Sequence, residues 1–99
     1  MNIEPAAGDA RRPAPTAAQQ SAVLSKAVVR AAMLLGLPQR EVAAILGVSE
    51  ATASRLFAGK YRIVPEHAKA WELARLFVRF YRSLDALGGA AHFYIVVQP

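Results

Sequence analysis

A chain of 99 residues, of which 55% are apolar, is long enough for one small domain with a single core and too short for two. No apolar run reaches the roughly 20 residues of a membrane-spanning helix, and the N-terminus lacks the pattern of a signal peptide, so we expect a cytoplasmic protein without a membrane partner. The chain has no cysteine, which excludes disulfides and thiolate metal sites, and its net charge of +5 favours a polyanionic partner such as nucleic acid or simply forms a solvated basic surface.

Residues 1–20 are rich in alanine, proline and small polar residues, and no large apolar side chain follows Ile3. Such a segment cannot bury enough apolar surface to offset the entropy lost on ordering, so we expect a disordered N-terminal arm. Arg11 and Arg12 are able to reach a DNA phosphate or the minor groove from this arm, although a solubilising tail is the simpler interpretation.

From about residue 21, apolar residues recur at the spacing that lines one face of a helix. These residues are Leu24, Ala27, Val28, Ala31 and Leu34. Gly36 follows the run and is placed to end the helix, because glycine adopts a left-handed conformation without a Cβ clash.

Residues 37–60 have the pattern of a helix-turn-helix. Pro38 suits the first turn of a positioning helix over residues 38–46, and Gly47 lies at the sharp turn that follows. Ser49 is a good N-cap for a reader helix that continues to residue 58. The predicted buried residues of the two helices are Val42, Ala43, Ile45, Leu46, Ala53, Leu56 and Phe57.

The outward face of the reader helix carries small and hydrogen-bonding side chains, which can approach base edges in the major groove. We expect Thr52, Ser54 and Arg55 to make base or near-base contacts, with Arg55 able to bind a guanine through two hydrogen bonds. Cationic and N–H groups around such a helix hold the phosphates. The predicted DNA-binding set is Gln39, Arg40, Ser49, Thr52, Ser54, Arg55, Lys60 and Arg62, with Lys26 and Arg30 as weaker candidates.

A fourth helix is predicted over residues 65–87, opened by Pro65 and Glu66. Its apolar stripe is wider than a three-helix core can cover, so the helix is either central to the monomer or part of an interface, and we favour a homodimer interface. A dimer also suits a helix-turn-helix, because one unit covers only a few base pairs. The predicted interface residues are Trp71, Phe77, Phe80, Tyr81 and Leu84.

The end of the chain and its histidines add little chemistry. Residues 93–97 have the composition of a strand but no evident partner strand. His67 and His92 have no acidic residue or second histidine at triad or metal-ligand spacing, and no glycine-rich phosphate loop is present. We therefore predict no catalysis, no cofactor and no metal. The expected division is an arm at 1–20, a DNA-binding and dimerisation domain at 21–87, and a short tail at 88–99.

Three linked motifs carry a family resemblance. They are Leu-Pro-Gln-x-Glu-Val-Ala-x-x-Leu-Gly-Val-Ser at 37–49, Ser-Arg-Leu-x-x-Gly-Lys at 54–60, and Trp-Glu-Leu-Ala-x-Leu-Phe-Val-Arg-x-Tyr-Arg-Ser-Leu-Asp at 71–85. Over about residues 21–89 the chain resembles the N-terminal helix-turn-helix region of the MbcA/ParS/Xre antitoxins, which are partners of RES-domain toxins. The first two motifs occur in many Xre-type regulators, and the third narrows the family.

The resemblance implies an all-α, Xre-like bundle of four to five helices in an antitoxin that dimerises, represses its own operon by binding operator DNA, and neutralises a RES toxin that consumes NAD. In that family a C-terminal domain blocks the toxin, and the ten residues after Gly89 do not resemble it. We therefore expect a truncated or frameshifted member with a complete DNA-binding half. The alternative is an interaction module whose helix at 65–87 binds a toxin or another partner, with the helix-turn-helix as a scaffold.

Overall fold

The computed structural model describes residues 14–88, which form four helices. They are α1 (Ala17–Leu35), α2 (Gln39–Leu46), α3 (Glu50–Phe57) and α4 (Ala68–Ala86). No strand occurs within residues 14–88, and the predicted all-α class is confirmed. The expected disordered arm spans residues 1–20, of which residues 1–13 lie outside the described residues, as does the strand-like stretch at 93–97; residues 17–20 are helical, so the arm was predicted too long. None of the four helices is long and apolar enough to cross a membrane.

Helix α1 begins at Ala17. The predicted start at about residue 21 is therefore wrong by four residues. The side-chain hydroxyl of Thr16 accepts from the backbone N–H of Gln19 at 3.1 Å, and the Gln19 side chain accepts from the backbone N–H of Thr16 at 2.8 Å. This reciprocal cap satisfies two N–H groups that a helix start leaves without partners. Apolar periodicity could not show it, because the periodic run starts only at Leu24.

The core lies where α1 and α2 meet α4 and where α2 meets α3. Its buried apolar residues are Val28, Ala31, Ala32, Leu35, Val42, Leu46, Leu56, Ile63, Ala70, Ala74, Phe77 and Val78. The prediction of burial is wrong for two residues, because Leu34 is 53% exposed and Ile45 is 37% exposed. Leu35 takes the inward position at the end of α1. The sequence offers adjacent leucines there, and only one of them can face the core.

Two left-handed glycines set the directions of successive helices. Gly36 and Gly47 both have φ of 72°, and the N–H of each donates to carbonyls in the last turn of the preceding helix. A side chain strains this backbone conformation, so glycine is preferred at both positions. The predicted role of each glycine as a helix end is confirmed.

Helix α4 begins at Ala68 and not at the predicted residue 65. The backbone N–H of His67 donates to the Val64 carbonyl at 3.1 Å, which closes a turn through Pro65 before the helix starts. The helix is central to the monomer, because it packs on both α1 and α2.

The predicted interface residues of α4 divide into three groups by exposure. Phe77 is only 7% exposed and packs in the core of the single chain. Phe80 is exposed, whereas Trp71, Tyr81 and Leu84 are half-buried against the core.

Candidate nucleic-acid interface

Helices α2 and α3 form the predicted helix-turn-helix, and small residues let them approach closely. Ala43 and Ala53 are buried at 3% and 0% exposure, and neither carries more than a methyl group. Ser49 caps α3 as predicted, since its hydroxyl oxygen accepts from the backbone N–H of Thr52 at 3.0 Å. The cap fixes the start of α3, and the polar face of α3 points away from the core.

A chain of hydrogen bonds runs along the exposed face of α3. The Ser49 hydroxyl lies 3.0 Å from the Thr52 hydroxyl oxygen, and an Arg55 Nη2 N–H donates to the same oxygen at 3.2 Å. Since Thr52 Oγ1 uses its two acceptor positions for Ser49 and Arg55, its own hydrogen remains available to donate. One N–H group of the exposed Arg55 guanidinium is thereby directed at α3, and its remaining N–H groups are the ones that could meet a base edge.

Thr52 Oγ1 therefore contacts the Arg55 guanidinium directly, an interaction that the sequence pattern did not predict. The predicted role was direct contact with a base, and Thr52 is half-buried. The signal was present in the sequence, because polar side chains at 49, 52 and 55 have the i, i+3 spacing of neighbours on one helix face.

The loop after α3 is anchored by two buried serines of α1. The Ser21 hydroxyl donates to the Ile63 carbonyl, and the Ile63 N–H donates to the Ser25 hydroxyl oxygen at 2.9 Å. Ile63 is 1% exposed, whereas Lys60 and Arg62 beside it are exposed. Arg62 thus extends from a backbone next to the residue that α1 anchors, whereas the backbone N–H of Lys60 donates to the Arg55 carbonyl at 2.8 Å.

The role of Ser21 and Ser25 in anchoring the loop was not predicted, although the sequence contains a signal for it. Both serines lie on the buried stripe that continues through Val28, Ala32 and Leu35. A hydroxyl on a buried stripe requires a hydrogen-bond partner. The partner is a backbone segment about 40 residues away in the chain, as their sequence separations of 42 and 38 show.

We expect Ser25→Ala to lower the free energy of unfolding by about 1–3 kcal/mol, because it leaves the buried N–H of Ile63 without an acceptor. Urea denaturation followed by circular dichroism measures this. Ser83→Ala is the matched control, since Ser83 is an exposed helical serine and has the same change in helix propensity. Equal free energies for the two variants would show that the anchor contributes nothing.

The remaining predicted DNA contacts surround α3 on exposed positions. Gln39 and Arg40 open α2, and Lys60 and Arg62 follow α3. Glu50 lies in the first turn of α3, where it suits the positive end of the helix dipole but repels phosphate. The basic groups at both ends of the unit can hold two separate stretches of a phosphate backbone, with α3 between them.

No cluster of three or more histidine, aspartate or glutamate side chains suited to a metal ion occurs within residues 14–88. The exposed His67 has its Nδ1 3.5 Å from the Tyr61 hydroxyl. The pair joins the loop after α3 to the start of α4.

A family model described as the antitoxin Xre-like helix-turn-helix domain matches residues 14–79. The match includes α1, α2 and α3 and extends into α4. It starts near the observed beginning of α1, earlier than the resemblance found from sequence motifs. No curated protein and no solved structure matches the chain.

Proposed function

The chain belongs to the antitoxin Xre-like helix-turn-helix family, and from this we propose that it binds operator DNA with α3 in the major groove. The observation that carries the proposal is the hydrogen-bonded row of Ser49, Thr52 and Arg55 on the exposed face of α3. A guanidinium held in place before binding loses less conformational entropy when it meets a base. Arg55 is then the main base-reading residue, and guanine is the base that best fits its paired donors.

Phosphate contacts complete the proposed interface. We assign them to Gln39 and Arg40 at the start of α2 and to Lys60 and Arg62 after α3. The anchoring of Ile63 by α1 supports the second pair, because a fixed backbone restricts where those side chains can reach. Ser54 is exposed on α3 and remains a proposed contact to a base or a nearby phosphate.

A homodimer is the proposed binding form. The exposed edge of α4 carries Leu76, Phe80 and Leu87, which are 54%, 47% and 84% exposed, with Leu84 half-buried beside them. Apolar side chains aligned on one helix edge favour contact with another apolar surface. Two copies joined in this way read two half-sites about one helical turn apart on a palindromic operator.

The proposed biological role is autoregulation of the antitoxin's own operon, with possible neutralisation of a RES-type toxin. Membership of a DNA-binding antitoxin family supports the first. The second rests on the resemblance of the sequence motifs to antitoxins that pair with RES toxins. Purification after co-expression with the neighbouring toxin gene tests it, since a toxin that does not co-purify argues against the pairing.

A reporter fused to the promoter of the chain's own operon tests autoregulation. Expression of the wild-type chain should lower reporter output, and Arg55→Ala should restore it, because repression requires a specific complex. Arg79→Gln is the matched control: it removes one exposed arginine from α4, outside the proposed interface, and should repress like the wild type. Reporter output that does not change when the wild-type chain is expressed would contradict autoregulation.

A further inference from the structure

An open groove of about 570 Å³ runs between the first half of α1 and α4. Its floor is apolar and includes Val23, Leu24, Trp71 and Val78. Val23 is 65% exposed and Trp71 is half-buried, so the floor keeps apolar surface in contact with water. Covering such a surface releases free energy in proportion to the apolar area removed from solvent.

Three arginines line one side of this groove. Arg75, Arg79 and Arg82 follow the i, i+4, i+7 spacing and so extend along one face of α4 for roughly 10 Å at 1.5 Å per residue. No carboxylate lines the groove within residues 14–88. The ion pair of Arg75 with Glu72 spans 3.7 Å between largely exposed side chains and is therefore weak.

The groove lies on a different flank of α1 from the proposed DNA interface. Lys26 and Val29 of α1 line a second, smaller pocket with Phe57 and Arg62, on the side that faces α3. At 3.6 residues per turn, Leu24 and Ala27 of the groove point to a different side of α1 from Ser25 and Val29 of the second pocket. A duplex seated on α3 therefore approaches a different face of the molecule.

We propose that this groove binds an acidic, amphipathic segment of a partner protein, in the helix-in-groove mode. Apolar side chains of the segment cover Val23, Trp71 and Val78, and carboxylates along its flank meet the arginines. Arginine suits this role, because its planar guanidinium binds a carboxylate through two hydrogen bonds. A second copy of the chain fits poorly, since it carries twelve basic against seven acidic residues. The inference does not depend on DNA binding by α3.

Trp71 is the single tryptophan of the chain, so its fluorescence reports occupancy of the groove directly. The probe is a synthetic, tryptophan-free helical peptide of about three turns, with leucines on one face and glutamates along the flank. The full chain should show a saturable change in Trp71 emission with this peptide. A peptide with lysine in place of each glutamate should give no such change.

Paired variants test whether the groove itself binds the peptide. Arg75→Gln/Arg79→Gln should weaken peptide binding at least tenfold, and Val23→Asp should abolish it, because a carboxylate then faces the glutamates. Lys26→Gln/Lys69→Gln removes the same two charges at exposed positions outside the groove and should bind like the wild type. Circular dichroism checks that each variant is folded.

Four results would overturn the proposal. The first two are a peptide that does not bind the wild-type chain, and equal weakening by the two double variants, which would indicate a general charge effect. The third is loss of promoter binding by Arg75→Gln/Arg79→Gln to the same extent as Arg55→Ala, because the arginines would then be phosphate contacts. The fourth is conversion of a dimer to a monomer by the same variant in sedimentation, because the groove would then be the interface between two copies.

Discussion

Replacing Leu46 with alanine should lower the free energy of unfolding by about 2–5 kcal/mol. Leu46 is 1% exposed and ends α2, the helix that packs on both α3 and α4. Removing its side chain leaves a cavity at the point where the helix-turn-helix joins the rest of the core. Small domains have only about 5–15 kcal/mol of stability, so the loss is a large share of the total.

Urea denaturation with Trp71 fluorescence and circular dichroism measures the Leu46→Ala effect. Leu34→Ala is the control, since the same truncation at a side chain that is 53% exposed and lies outside the proposed dimer surface should cost well under half as much. The two variants should be compared at a protein concentration at which both have the same oligomeric state, because dimerisation adds stability through mass action. Similar losses for the two leucines would show that Leu46 is not a core residue.

Arg55→Ala should weaken binding to the promoter duplex about 10- to 100-fold, which corresponds to the roughly 1–3 kcal/mol of a base contact with two hydrogen bonds. It should also remove discrimination at one base-pair position of each half-site, because the guanidinium is the group that reads that base. Fluorescence anisotropy with the promoter duplex and single-base variants of it measures both effects.

A phosphate contact has a different signature, which provides the comparison for Arg55. Arg62→Ala should weaken binding to all sequences about equally and reduce the slope of log K against log salt by about one. Arg79→Gln, on α4, should leave both the affinity and the slope unchanged. An Arg55→Ala protein that keeps wild-type affinity and base preference would remove Arg55 from the reading face.

The helix-turn-helix was predictable because its signals are local. Pro38 is the N-cap of α2, Gly47 has the left-handed conformation, and Ser49 is the N-cap of α3. Each of these roles depends on residues within about four positions in the chain. The helix bounds differ from the predicted ones by one residue at α2 and α3, as expected for frayed helix ends.

The parts of the fold that depend on distant residues were not predictable in this way. The contact of Ser21 with Ile63 joins residues 42 apart, and no spacing rule reports such a pair. The choice of Leu35 over Leu34 depends on where α4 lies against α1. The arginine-lined groove has the same origin, because Val23 and Arg79 become neighbours of one cavity only when the two helices pack.

The candidate DNA-binding site shows the same division between features that are local in the sequence and features that depend on the folded structure. The exposed positions of Arg40, Ser54 and Lys60 agree with a role at a surface, and their contact with DNA stays a prediction. The bond from Arg55 to Thr52 adds a physical reason to place Arg55 first among the base contacts. The sequence placed Thr52, Ser54 and Arg55 among the base or near-base contacts and singled out Arg55 for a guanine, and the hydrogen bond adds a proposed positioning role for Thr52.

The most direct measurement is the ratio of dissociation constants of the wild-type chain for its own promoter duplex and for a scrambled duplex of the same length and composition. Anisotropy titrations at about 0.15 M salt suppress binding that depends only on charge. A protein that reads bases through α3 should prefer its promoter by about a thousandfold or more. A ratio within about threefold would contradict sequence-specific DNA binding and leave only the general attraction of a basic protein for a polyanion.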